Sequence, residues 1–139
     1  VGDCRLREKI KNKFPDSTVY PKIISKYAVV SEYSSIGKGA IICPGTIITC
    51  DVEIGEFVII NLNTTISHDS KVGNFSTIAP GVNINGNCLL KDGVYVGSSV
   101  AVKQGVSICN DVIIGMGAVV VKDISSTGTY IGNPLKKLK

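Results

Sequence analysis

The chain has 139 residues, of which 44% are hydrophobic and 19% charged, and its formal net charge is +4. It contains no apolar run long enough to cross a bilayer, so we expect no membrane insertion. The positive charge lies at the two ends: residues 1–13 and residues 134–139 each sum to +3, whereas seven lysines and nine acidic residues between them sum to −2. Because the body of the chain is slightly acidic and lacks a basic, aromatic-rich face, the composition argues against nucleic-acid binding.

The N-terminal segment, residues 1–13, predicts one short helix over residues 3–13. Asp3 is a candidate N-cap, and Leu6 and Ile10 are spaced as on one apolar stripe. Phe14-Pro15 is expected to end the helix, since the residue before a proline avoids the helical conformation. A helix this short cannot bury a core of its own. One interpretation is that it covers the open end of the structure that follows.

A six-residue period organises the central segment, residues 14–124. Residues 14–23 lead into it, and the repeats begin at Ile24. From Ile24 to Val120 every sixth residue is Ile, Val or Leu, and each position four residues later, Ala28 to Ile124, is small or β-branched. This period matches neither a helix nor a simple alternating strand. It is typical of a solenoid in which each hexad forms one strand and one corner. Three hexads make a triangular coil, so the sequence predicts an all-β, parallel β-helix of nearly six coils.

The C-terminal segment, residues 125–139, breaks the period. Thr129–Ile131 predicts one further strand, Gly132-Asn133-Pro134 predicts a turn, and three lysines predict a basic tail that leaves the solenoid.

The five cysteines are an odd number and show no CxxC spacing. This pattern indicates reduced thiols, and we therefore expect a cytoplasmic protein.

The strongest candidate for chemistry is His68, the one histidine of the chain. It follows Ile66 by two residues and precedes Asp69, so its side chain should lie outside a corner. A step of one coil, 18 residues, places Gly86 directly above it. Histidine exchanges protons readily near neutral pH, and an open glycine amide could stabilise an oxyanion. The pair favours acyl transfer to an amine or hydroxyl, while a surface histidine without a catalytic role stays open.

Several segments are similar to those of the hexapeptide-repeat sugar acetyltransferases. They are residues 61–73 (NLNTTISHDSKVG), residues 78–86 (IAPGVNING), residues 114–123 (IGMGAVVVKD) and the closing GTYIGNP. The resemblance covers residues 14–139. It extends to UDP-4-amino-sugar N-acetyltransferases and to sialic acid O-acetyltransferase-like proteins.

This resemblance implies a left-handed parallel β-helix, acetyl-CoA as co-substrate and no metal. It implies that His68 takes a proton from the acceptor, that Asp69 orients the histidine, and that Asn61 lies in the active-site cleft. It further implies a homotrimer with sites between subunits. In such enzymes a small α/β domain precedes the β-helix, so residues 1–13 are interpreted as its last element.

The resemblance also implies a binding groove for the cofactor. The amide of Gly86 would face the acetyl carbonyl of acetyl-CoA. Ser98, Gly115 and Gly117 would line the groove for the pantetheine arm, although each glycine also suits a tight corner.

The function that we expect is transfer of acetyl from acetyl-CoA to the amine of a nucleotide-linked amino sugar, in bacterial surface glycan biosynthesis. The first alternative is an O-acetyltransferase for a sialic-acid-like sugar, and the second is a non-catalytic structural β-helix. A γ-class carbonic anhydrase shares the fold, but it needs three histidines on zinc, and this chain has one.

Overall fold

The structure, a computed structural model, describes residues 1–138, in which it contains one helix and nineteen short strands. The first seventeen strands lie in turn on the three faces of a triangular prism, and within each face they pair in parallel with the strand one coil later. Ile23 pairs with Ile41 and Thr65 with Asn83, which is a register of 18 residues. The parallel β-helix predicted from the six-residue period is therefore confirmed.

We call the three sheets face A, face B and face C. Face A contains β1 (Ile23–Ile24), β4 (Ile41–Ile42), β7 (Ile59–Ile60), β10 (Thr77–Ile78), β13 (Tyr95–Val96), β16 (Val112–Ile114), β18 (Gly128–Ile131) and β19 (Lys136–Lys137). Face B contains β2 (Val29–Val30), β5 (Ile47–Ile48), β8 (Thr65–Ile66), β11 (Asn83–Ile84), β14 (Ala101–Val102) and β17 (Val119–Val120). Face C contains β3 (Ser35–Ile36), β6 (Glu53–Ile54), β9 (Lys71–Val72), β12 (Leu89–Leu90) and β15 (Ser107–Ile108). The chain turns between them at an AB corner, a BC corner and a CA corner.

The core is the interior of the prism. The aliphatic residues at every sixth position are buried from Ile42 to Val120, as are the small and β-branched residues four positions later from Ala40 to Ile124. In the first coil Ile24 is 39% exposed, because no earlier coil covers it. Hydroxyl groups inside the corners are satisfied: Ser70 donates to the carbonyl of Asn85 at 3.1 Å and accepts from the Cys88 amide at 3.1 Å.

Each corner requires one residue in the left-handed conformation. From residue 39 to residue 117 every sixth residue has a positive φ, and eight of these are not glycine: Asp51, Phe57, Asn63, Asp69, Phe75, Asn87, Ser99 and Asp111. Asn and Asp tolerate this conformation, whereas it strains a bulky residue such as phenylalanine.

Helix α1 (Cys4–Lys11) begins at Asp3, whose carboxylate accepts from the Leu6 amide at 2.8 Å. The predicted N-cap is confirmed, although the helix ends at Lys11, earlier than Lys13. The helix packs along face A and the CA corner, since the Cys4 thiol reaches the carbonyl of Val94. It therefore does not cover the open end of the prism, and that interpretation was wrong.

Arg7 attaches α1 to the prism. Its guanidinium donates to the carbonyls of Phe57, Phe75 and Ser76 and to the hydroxyl of Thr77. Burial lowers the pKa of Arg7 from its ordinary value. The rings of Phe57 and Phe75 stack with their centroids 5.1 Å apart. The two phenylalanines that adopt the left-handed conformation at the corners therefore also contact the helix through Arg7.

The C-terminal segment extends face A. β18 pairs in parallel with β16, which confirms the strand predicted at Thr129–Ile131. β19 then pairs antiparallel with β18, through Ile131 with Lys136 and Tyr130 with Lys137. The expectation that the lysine-rich end leaves the solenoid was wrong for these two lysines.

The part of the chain that the structure describes contains no helix long and apolar enough to cross a membrane. Residues 1–138 also include no group of three or more histidine, cysteine, aspartate or glutamate side chains arranged to hold a metal ion.

Candidate active site

His68 lies on the BC corner, immediately after β8. Its imidazole is 49% exposed, and its Nδ1 lies 2.8 Å from Oδ2 of Asp69, whose side chain is 61% exposed. A carboxylate accepts hydrogen bonds, so this contact favours the neutral tautomer that carries its proton on Nδ1 and leaves Nε2 unprotonated. This is the form of histidine that can take a proton from a substrate.

Asp69 reaches Nδ1 because of the corner geometry. Its backbone has a φ of 58°, and its amide donates to the carbonyl of Cys50 in the coil below at 3.3 Å. The left-handed conformation turns the chain sharply enough for two consecutive side chains to contact each other. The sequence predicted this neighbour, but not the left-handed conformation that positions it.

Gly86 lies directly above His68, one coil later, as the sequence predicted. A Cβ at residue 86 would lie 2.5 Å from both Cε1 and Nε2 of His68. The imidazole thus occupies the place of a side chain at residue 86. Among residues 1–138 no acceptor is found for the Gly86 amide, while its carbonyl accepts from Gly105 at 3.0 Å. A hydrogen-bond donor is therefore free beside the imidazole.

Asn61 lies on the AB corner, at the opposite end of β8 from His68. Its side-chain amide donates to the carbonyl of Ile78 at 2.9 Å. The structure does not bring Asn61 into contact with His68 or Asp69 within one chain.

The three residues expected to line the pantetheine groove also lie on the AB corner, above Asn61. A Cβ at Gly115 would lie 2.8 Å from the side chain of Ile131, so a larger residue there would displace that side chain. Gly117 has a φ of 69° with open space around it, and its amide donates to the carbonyl of Ser98 at 2.8 Å. Face B separates these residues from Gly86. The predicted residues therefore form two groups at the two edges of face B.

The side chains between the two groups were missed at the sequence level. Thr65 and Asn83 project outward from β8 and β11, and the exposed Asn85 follows β11, on the same coils as His68 and Gly86. Their outward positions in the hexad were the signal that could have found them.

Two cavities of the chain lie elsewhere. One of about 620 Å³ lies between the start of α1 and face A, beside Tyr95 and Ile113, and another of about 430 Å³ lies on face C. Because His68 lines neither, the site is an open surface in a single chain.

Known proteins share this arrangement of coils. No family model matches the chain. The GDP-perosamine N-acetyltransferase of Escherichia coli O157:H7 is 37% identical over 93 residues, which are 66% of this chain and 42% of that protein. The crystal structure of PerB from Caulobacter crescentus, in complex with CoA and GDP-perosamine, is 32% identical with a TM-score of 0.96, and the match covers 100% of this chain and 68% of PerB.

The chain belongs to the hexapeptide-repeat sugar acetyltransferases.

A further member of this family with a solved structure is the acetyltransferase domain of PglB from Neisseria gonorrhoeae. It is 29% identical with a TM-score of 0.95, and the match covers 99% of this chain and 68% of that domain. The chain spans less than half of the length of the Escherichia coli relative and about two thirds of these solved relatives.

Proposed function

We propose that this chain is the β-helix of an acetyl-CoA-dependent N-acetyltransferase that acts on the amine of a nucleotide-linked amino sugar in bacterial surface glycan biosynthesis. The observation that carries the proposal is the stack of His68 on Gly86, with Asp69 on the far nitrogen of the ring. The relatives support it, since two are named as perosamine N-acetyltransferases and one was crystallised with both CoA and GDP-perosamine.

In this proposal His68 is the general base. Its Nε2 accepts a proton from the acceptor amine as the C–N bond forms, and it returns that proton to the thiol sulfur as the C–S bond breaks. Asp69 holds the ring in the required tautomer and stabilises the imidazolium that forms. The Caulobacter relative was also crystallised as histidine-to-asparagine and histidine-to-alanine variants with the same two ligands.

Gly86 supplies the donor for the developing oxyanion. Acetyl-CoA, when bound, supplies an acetyl thioester whose carbonyl oxygen gains negative charge during the reaction. The unpaired amide of Gly86 is a donor that can stabilise this charge. Gly86 is itself buried beside the His68 ring, so the thioester would have to approach the amide next to that ring. We place the pantetheine arm against small residues on the AB corner, namely Ser98, Gly115 and Gly117, with Asn61 below them in the same cleft.

We further propose a homotrimer with each site between two subunits. The residues that the family resemblance assigns to one site lie at both edges of face B in a single chain, so a neighbouring subunit is needed to bring the two edges together. Face B exposes apolar side chains, with Val29 at 64% and Ile47 at 43%, that a cyclic assembly would cover.

We assign the protein to the cytoplasm. Its cysteines are free thiols throughout residues 1–138, as suits a reducing compartment.

The experiment offers the full chain acetyl-CoA together with either a nucleotide-linked 4-amino sugar or the same nucleotide sugar with a 4-hydroxyl group. Thiol release and product mass are measured. We expect one added acetyl group on the amino sugar alone. Transfer to the hydroxyl alone would favour the O-acetyltransferase alternative, and binding of neither substrate would favour a structural β-helix.

A further inference from the structure

The pair Asn85-Gly86 is unusual in this sequence. Asparagine occurs nine times in the chain, and Asn85 is the only one that is followed by glycine. The side chain of an asparagine can react with the backbone nitrogen of the next residue, because the attack closes a five-membered ring. Glycine obstructs this attack least, since it has no side chain and its backbone has the widest conformational freedom. The sequence therefore marks Asn85 as the asparagine most open to reaction with its own backbone.

The structure leaves both reacting groups of this pair free. Asn85 is exposed, and its side chain makes no hydrogen bond with any residue that the structure describes. The backbone nitrogen of Gly86 has no acceptor among residues 1–138. By contrast, the amide that follows Asn87 donates to a serine hydroxyl at 3.1 Å, and the amide that follows Asn110 donates to an aspartate carbonyl at 3.0 Å. Those two asparagines would first have to break a hydrogen bond.

The surroundings of Gly86 also make its nitrogen more reactive. The carbonyl of Asn85 belongs to the same peptide group as this nitrogen and accepts from the hydroxyl of Ser70 at 3.1 Å. A hydrogen bond to the carbonyl oxygen polarises the peptide group and makes its N–H more acidic. A proton acceptor lies close by, since a Cβ at residue 86 would be 2.5 Å from Nε2 of His68. Loss of the N–H proton is the change that turns the nitrogen into a nucleophile.

We propose that Asn85 and Gly86 react with each other in the folded chain, and that this modification removes the oxyanion donor. The nitrogen of Gly86 loses its proton and attacks Cγ of Asn85, so a new N–Cγ bond forms and the bond from Cγ to the side-chain nitrogen breaks. That nitrogen takes up a proton and leaves as ammonia, and a succinimide remains. Water then opens the ring at either carbonyl and gives aspartate or isoaspartate. The net reaction consumes water and releases ammonia without any oxidation or reduction.

Each product changes the amide that the proposed function uses. In the succinimide the Gly86 nitrogen is bonded to three carbon atoms and has no hydrogen to donate. Isoaspartate adds a methylene group to the backbone and shifts the amide by roughly 1.5 Å, the length of one C–C bond. Aspartate restores the amide but adds a carboxylate, whose charge opposes a developing oxyanion. The covalent step rests on the structure alone, whereas the loss of activity rests on the proposed function.

The proposed trimer is compatible with this reaction. Asn85 lies on the BC corner beside His68, at the cleft that both substrates must enter, so water reaches it whenever no substrate is bound. In the proposed function the Gly86 amide donates to the carbonyl of acetyl-CoA, which engages the nitrogen that would otherwise attack. Bound acetyl-CoA should therefore protect Asn85, and the enzyme should lose activity faster without its co-substrate.

The test incubates the full chain at mildly alkaline pH and follows intact Asn85 by peptide mass mapping, with enzymatic methylation to detect isoaspartate. Asn87 and Asn110 are internal controls and should react at least about fivefold more slowly, because the amides that follow them are hydrogen-bonded. Specific activity should fall in step with the loss of intact Asn85, since an oxyanion donor is worth about a hundredfold in kcat. An Asn85 that stays intact in the native protein, while the same chain in denaturant is converted, would overturn the modification site.

Asn85→Gln is the matched variant, because its longer side chain must close a less favourable six-membered ring. Its activity should be the same before and after incubation, whereas that of wild type declines. Asn85→Asp carries one of the products from the start and should lower kcat by about tenfold through the added charge. An equal decline in wild type and Asn85→Gln, or full activity of a wild-type sample whose Asn85 has been converted, would overturn the effect on activity.

Protection by acetyl-CoA distinguishes this inference from the proposed function. At about 100 times its Kd roughly 1% of the sites are free, so modification of Asn85 should slow by up to about a hundredfold. Free CoA lacks the acetyl carbonyl and should protect less. Modification at an unchanged rate with acetyl-CoA bound would contradict the placement of the acetyl group at Gly86, but would still support the modification site. Acetyl transfer by a protein whose Asn85 is never modified would support the proposed function and overturn the inference.

Discussion

The imidazole of His68 occupies the space that a side chain at residue 86 would need, since Nε2 lies 2.5 Å from the position of a Cβ there. The obstructing atoms belong to a half-exposed side chain that can rotate. We therefore expect Gly86→Ala to displace the ring, lowering kcat roughly a hundredfold or more while the fold survives. Thiol release and thermal unfolding of the same sample measure both effects.

Gly97→Ala is the matched control for this substitution. A Cβ at residue 97 would lie 2.6 Å from the backbone nitrogen of Met116, which cannot rotate away. We expect Gly97→Ala to lower the free energy of unfolding by about 1–3 kcal/mol. The contradicting result would be a Gly86→Ala variant that is destabilised as much as Gly97→Ala but keeps full specific activity. In that case the position of the His68 ring would not matter for function.

Asp69 should show a conflict between stability and activity. Its φ of 58° is a conformation that glycine adopts without strain. We expect Asp69→Gly to unfold at the same temperature as wild type or higher, while its kcat falls about ten- to a hundredfold because His68 loses the group that fixes its tautomer. Asp69→Asn keeps the shape of the side chain and should also lose activity. Full activity in both variants would show that Asp69 does not orient His68.

Arg7 should be a major stabilising contact of α1. Removing its guanidinium leaves the carbonyls of Phe57 and Phe75 without a donor, whereas the carbonyl of Ser76 still accepts from the Ile59 amide. We expect Arg7→Ala to lower the free energy of unfolding by about 2–4 kcal/mol. Denaturant titration measures this change. Specific activity should be retained, because α1 packs along face A and the CA corner, whereas the candidate site lies at the two edges of face B.

Arg5→Ala on the same helix provides the comparison. Arg5 forms an exposed ion pair with Asp111 at 3.5 Å, so its removal should change stability by less than about 1 kcal/mol. Equal effects of the two substitutions would contradict the role assigned to Arg7.

Cys88 should be an inert thiol in the folded chain. Burial raises its pKa above the ordinary value of 9.0, whereas Cys50 is exposed. A thiol reagent at pH 8 should therefore modify Cys50 in the native protein and Cys88 only after unfolding. Peptide mass mapping of the modified protein identifies both sites, and rapid native labelling of Cys88 would contradict its burial.

The same pKa shift predicts how stability depends on pH. The folded chain holds the Cys88 proton more tightly than the unfolded chain does, so the unfolded state gains from deprotonation first. The contribution to the free energy of unfolding is fully present below about pH 9 and is lost as the pH rises through the folded pKa. Cys88→Ala should lack this alkaline decline, and an identical alkaline decline in that variant would contradict the assignment to Cys88.

The sequence predicted the fold well because the period is a property of side-chain size alone. Ile66, Ile84 and Val102 must be large and apolar to fill one interior row, and this requirement is visible without coordinates. The stacking of Gly86 on His68 follows from the same register. The position of α1 could not be predicted, because it depends on carbonyls that become available only when Phe57 and Phe75 adopt the left-handed conformation.

The candidate site was predicted in part. His68, Asp69 and Gly86 are neighbours because they share a corner, whereas Asn61 is separated from His68 by the whole of β8. The spacing of seven residues between Asn61 and His68 does not by itself show that they lie on different corners of the prism, at the two ends of one strand. The polar side chains of Thr65 and Asn83 were missed because these residue types are ordinary and stand out only against the apolar side chains above and below them on face B.

The measurement that tests the account most directly is acceptor-dependent thiol release from acetyl-CoA by wild type and by His68→Asn, with a nucleotide-linked 4-amino sugar as acceptor. Asparagine keeps the polarity and approximate size of the side chain but cannot take a proton. The account predicts that wild type releases thiol only with the acceptor present, and that kcat falls by about 10²–10⁴ in the variant while calorimetry shows unchanged binding of both substrates. A variant that retains the wild-type rate would contradict the role of His68 as the general base.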